Sequence, residues 1–176
     1  LSIRTCHTSF SEFEKSLITY QVIANNSTEV KKILLSRLNQ PDPTITELAL
    51  RTIIKFPELV TLIEKQLKLI VKQSSNPKHV QYASLGLMQT QNPKNADVII
   101  SRLELNKDPE EVQLTLIEAL GNLGNIKAKK VLLSQFSKGE KFAYYAAQAL
   151  SLFGEQIIPD LIKELKRDEV VPHIIE

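Results

Sequence analysis

A single cysteine, Cys6, stands in the whole chain, so no internal disulfide framework can staple it and the fold must rest on burial. Tryptophan is absent, aromatic residues make up 6% and glycine occurs only 5 times. That composition disfavours a turn-rich sandwich or barrel and favours helix. Charges interrupt every apolar stretch well before about 18 residues, which excludes a helix that spans a bilayer. Neither charge sign dominates: 22 Lys and Arg against 20 Asp and Glu leave +2. Bulk electrostatics of that size makes no case for nucleic acid. The chain opens at Leu1 without a basic start followed by an apolar run, and it reads as a processed form or an excised fragment. The compartment stays open, with the cytoplasm favoured.

What is present is an ordinary folding composition, 43% apolar and 24% charged, rich in Leu, Ile, Ala, Lys, Glu and Gln. One phrase recurs in it. KKILLSRL at 31–38, ADVIISRL at 96–103 and KKVLLSQF at 129–136 share an apolar rhythm, with Ser36, Ser101 and Ser134 in the matching position. The longer interval is about twice the shorter, and TLIEKQLKLI at 61–70 supplies the copy between, with Leu67 matching Leu38, Leu103 and Phe136. PDLIKELK at 159–166 supplies another. A period drifting around 29–36 residues is the mark of a repeat array whose loops vary in length.

A second helical pattern precedes each phrase. Asp42-Pro43, Asn76-Pro77 and Asp108-Pro109 place an acceptor side chain at the helix cap and a proline at the first helical position, and Asn92-Pro93 opens a further helix in the same way. These starts predict five helix pairs: 10–24 with 28–39, 43–56 with 58–73, 77–91 with 94–105, 109–122 with 126–137, and 140–153 with 156–167. Val112, Leu116, Ala119, Leu120 and Leu123 fall on one helical face. A lone pair cannot bury such a face, so neighbouring pairs must stack. Gly121, Gly124 and Gly154 fit helix C-caps. Phe142, Tyr145, Ala146, Ala149 and Phe153 form a packing stripe, with Tyr144 off it.

The stretch DPEEVQLTLIEALGNLGNIKAKKVLLSQF, 108–136, resembles a HEAT repeat of the short bacterial kind also found in phycobilisome lyases. The features that carry the likeness are Asp108-Pro109, Val112, Ala119-Leu120-Gly121, Leu123-Gly124, Ala128 and Leu132-Leu133, and 149–165 repeats the design. The resemblance covers about 28–167. It implies an all-α fold, a right-handed α-solenoid of about five helix pairs, with 1–27 as an N-terminal segment and first helix, 28–167 as the array, and 168–176 as the start of a further repeat. In that family an arginine often follows the valine of the first helix and pairs with an acid next door. Gln81 and Gln113 stand there instead, so amide hydrogen bonds are expected in place of the charged ladder.

Enzyme chemistry finds little footing. His7, His79 and His173 are scattered over the chain, neither HExxH nor CxxC occurs, and Cys6 and His7 are adjacent, a spacing that normally sends side chains apart. No catalytic residue, metal site or cofactor is expected. The charge distribution says more. The second helices and the turns trailing them hold sixteen of the 22 basic residues but only eight of the 20 acids, a local surplus of eight positive charges. The resemblance implies that these helices line a concave surface. Helical angles place Lys32, Ser36, Lys65, Lys68, Ser101, Lys130, Ser134, Lys163 and Lys166 on its outward stripe. The expected function is a non-enzymatic scaffold that binds an acidic or extended protein segment there. Nucleic acid is the first alternative, because phosphates favour lysine-lined grooves. A chromophore lyase or its accessory subunit is the second, on resemblance alone.

Overall fold

A computed structural model describes residues 27–165. They form ten α-helices and, among the described residues, no strand. The helices are α1 (Ser27–Leu38), α2 (Pro43–Ile53), α3 (Pro57–Leu62), α4 (Glu64–Gln73), α5 (Pro77–Gln89), α6 (Ala96–Glu104), α7 (Glu110–Leu123), α8 (Lys129–Leu133), α9 (Glu140–Ser151) and α10 (Ile158–Leu165). Short 3₁₀ turns at Pro93–Asn95, Ile126–Ala128 and Glu155–Ile157 lead into α6, α8 and α10, and another, Ser134–Lys138, follows α8. The helix expected over 58–73 is broken at Ile63, whose φ of −116° and ψ of 15° leave the helical region. The helix expected at 10–24 and the repeat expected from 168 lie outside the described residues.

Helix starts follow the cap chemistry at three of the four Asx-Pro positions. Asp42 accepts from the Thr44 N–H at 2.8 Å, Asn76 from Lys78 at 2.9 Å, and Asn92 from Lys94 at 3.2 Å. Each satisfies an otherwise orphaned donor and contributes about 0.5–2 kcal/mol. Asp108 departs from the pattern. The residue flanking α7 is Pro109, with no side-chain cap, and the Asp108 carboxylate turns instead to Arg102. The cap expected there is replaced by an ion pair, because a buried guanidinium competes for the carboxylate more strongly than a backbone N–H does.

Glycine roles also divide. Gly124, at φ 63°, ends α7 in the left-handed conformation, and Gly154, at φ 76°, ends the turn after α9. Gly121 is not a cap. It lies inside α7, where a Cβ would sit 2.6 Å from Ala149 Cα and 2.7 Å from Ala149 Cβ on α9. Its missing side chain is what lets the two helices meet.

The helices that open successive pairs, α2, α5, α7 and α9, pack each upon the next, while α4, α6 and α8 make a second row; α4 on α5 and α6 on α7 join the rows. Leu50, Ile53, Leu87, Leu116 and Leu120 from the first row meet Leu67, Ile99, Leu103 and Leu132 from the second in one core. All nine are essentially closed to solvent. Burying each is worth about 1.5–3 kcal/mol against leaving it exposed. In the middle of the array, α7 is buried on nearly every side from Val112 to Ile117. A helix enclosed by neighbours reads as apolar around much of its circumference, and this one does.

Polar contacts repeat the same logic. The hydrogen bonds Gln66 to Asn39, Gln89 to the Ile54 carbonyl, Arg102 to the Val71 carbonyl, Asn125 to the Pro93 carbonyl and Lys138 to Asn106 run over 27, 35, 31, 32 and 32 residues respectively. Each thus reaches about one repeat along the chain. Gln81 donates to Glu111 at 3.1 Å and to Thr115 at 3.3 Å, an amide link from α5 to α7 where the resemblance led to that expectation.

Candidate partner-binding surface

Of the stripe residues, Lys32, Ser36, Lys65, Ser101, Lys130, Ser134 and Lys163 are exposed, Lys68 is half-buried, and Lys166 lies outside the described residues. The three serines do one job in three repeats. Each hydroxyl donates back into its own helix: Ser36 to the Ile33 carbonyl at 2.7 Å, Ser101 to Asp97 at 3.0 Å, and Ser134 to Val131 at 2.8 Å. With the hydroxyl proton engaged, the oxygen faces outward chiefly as an acceptor.

The lysines differ in their partners. Lys32 pairs with Glu29 at 3.5 Å and Lys68 with Glu64 at 2.8 Å. The hydrogen bond from Lys68, followed by the charge of Lys68 and the amides of Asn92 and Asn95, holds the Glu64 carboxyl below its ordinary value although burial opposes the shift. Lys65, Lys130 and Lys163 have no carboxylate partner among the described residues. Two basic residues from the wider surplus are engaged by carboxylates, one buried and one half-buried. Arg102 is 2% exposed and closed onto Asp108, so it is not part of the surface, and Lys129 is tied to Asp160.

Grooves between successive second helices gather some of these side chains. Lys65 and Lys68, with Lys31, Leu35 and Leu62, line a groove of about 410 Å³ between α1 and the α3–α4 segment. Lys130 and Ser134 sit between two others. On one side they face Ile126, Lys127, Leu133 and Asp160 across about 460 Å³, and on the other Leu103, Asn106, Gln135 and Lys138 across about 280 Å³. Lys32, Ser36, Ser101 and Lys163 line none of these three grooves. These clefts are lined by apolar side chains and lysines together with one carboxylate each, Glu64, Asp160 and Glu104.

The helical projection missed Lys138. It belongs to the basic surplus, but it lies one residue beyond the helix expected over 126–137. The chain there winds as a 3₁₀ turn, Ser134–Lys138, which carries the helical path through Lys138. The amides Asn106 and Gln135 were equally hidden, since an amide carries no charge signal.

Among the described residues no group of three His, Cys, Asp or Glu side chains is placed to hold a metal ion. His79 is buried, with Nε2 2.9 Å from the Pro43 carbonyl, a link between α5 and the start of α2. Cys6, His7 and His173 lie outside the described residues. No helix among the described residues is long and apolar enough to cross a membrane. Comparison of the chain with protein-family models, with curated proteins and with solved structures finds no match.

Proposed function

We propose that the chain is a non-enzymatic HEAT-like scaffold, a right-handed α-solenoid whose second helices form a concave face that holds an acidic, extended protein segment. The observation that carries the reading is the placement of Lys65 and Lys130. Each is exposed, each lacks a carboxylate partner among the described residues, and each rims a cleft that also offers apolar side chains, Leu35 and Leu62 for one, Leu133 and Ile126 for the other. A solvated lysine is commonplace; a lysine beside an apolar cleft, repeated along a stack, suits a segment that alternates acidic and apolar residues. The contacts that link helices about one repeat apart support the solenoid part of the reading, because in such an array each unit touches only its neighbours.

The test compares two charge reversals of equal size. Lys65→Glu with Lys130→Glu alters the proposed face, whereas Arg51→Glu with Lys55→Glu alters exposed positions in and just after α2. A pulldown against a lysate from the source identifies the retained protein, and the isolated complex is then titrated with both variants. Loss of binding in the first pair only is expected. Equal loss in both means that net charge alone matters and sinks the assignment of the face. Titration at several salt concentrations separates the alternative, since a nucleic-acid partner gives a log-log slope set by the number of phosphates neutralised. An acidic segment held partly by apolar contacts is less sensitive to salt.

A further inference from the structure

We draw no further inference here: the strongest candidate, the exposed apolar face of α10 at Ile158 and Ile162, carries none because nothing in the structure shows what covers it.

Discussion

Arg102 Nε and Nη2 clamp the two carboxylate oxygens of Asp108 at 2.6 and 2.5 Å, and both side chains are almost wholly buried. The third guanidinium nitrogen, Arg102 Nη1, donates to the Val71 carbonyl at 3.2 Å, 31 residues back, and the Asp108 carbonyl accepts from Gln113 at 2.7 Å. The end of α6, the start of α7 and the end of α4 are thus locked by one charged fork. Bidentate geometry of this kind is what allows a buried pair to offset its desolvation.

Removing one partner leaves the other charge buried. Asp108→Ala should therefore cost about 3–5 kcal/mol, well beyond the roughly 0.5–2 kcal/mol of a lost helix cap. Arg102→Met combined with Asp108→Leu should recover most of that loss, short of about 1 kcal/mol for the Val71 carbonyl left unbonded. Denaturant titration of the three chains measures it. A cost for Asp108→Ala no larger than that of a cap would mean the pair is open to water.

How far the sequence discloses these features depends on their range. The caps at Asp42, Asn76 and Asn92 are local, each settled within two residues by side-chain reach, and so the helix starts are legible. The core positions Leu38, Leu67, Leu103 and Phe136 follow from the repeat phase and are buried as expected. Asp108 carries the same local signal as Asp42, but its fate is decided by Arg102, six residues away and buried only because three helices enclose it. Gly121 looks like Gly124 in the sequence; what separates them is contact with Ala149, which no local pattern contains. The exposed lysines are readable from helical angles, whereas the groove beside Lys138 lies past the expected helix end at 137 and is made by side chains from two helices.

Gly121→Ala tests the close approach of α7 and α9. In an isolated helix the change would gain up to about 1 kcal/mol. Here the added methyl meets Ala149 Cα at 2.6 Å and its carbonyl oxygen at 3.0 Å, backbone atoms that cannot swing aside. Separation of α7 from α9 should outweigh the gain and destabilise the chain by about 1–3 kcal/mol. Ala149→Gly should rescue it only in part, since it removes the Cβ contact and leaves the backbone ones. A rise in melting temperature for Gly121→Ala alone would show that the helices stand further apart.

Acid should weaken the link between α5 and α7 at Glu111 and the ion pair within α4 at Glu64. Hydrogen bonds from Gln81, then from Lys78, hold the Glu111 carboxyl below its ordinary value of 4.5, and Lys68 does the same for Glu64. A carboxyl depressed on folding contributes stability that is complete above the unfolded value and is lost as pH falls through the lower folded one. The window therefore lies below about 4.5. Because these groups face solvent, the effect should be small and shrink with added salt. Stability measured from neutral to acidic pH should fall less steeply in Glu64→Gln and Glu111→Gln than in the parent, and identical slopes would contradict the assignment.

The contacts reach about one repeat along the chain, and this makes a quantitative claim about distant sites. Ile53 closes α2 and Ile157 follows α9; both are buried, and α2 meets α9 only by way of α5 and α7 in the first row. Ile53→Val and Ile157→Val should each cost about 0.5–1.5 kcal/mol. Their effects should add to within about 0.5 kcal/mol in the double variant, because neither cavity is shared and no common partner relaxes. Gly121→Ala and Ala149→Gly, which touch, should deviate from additivity by more than that. If the distant pair couples as strongly as the touching one, the units do not behave as a nearest-neighbour stack, and the solenoid reading of the fold fails with it.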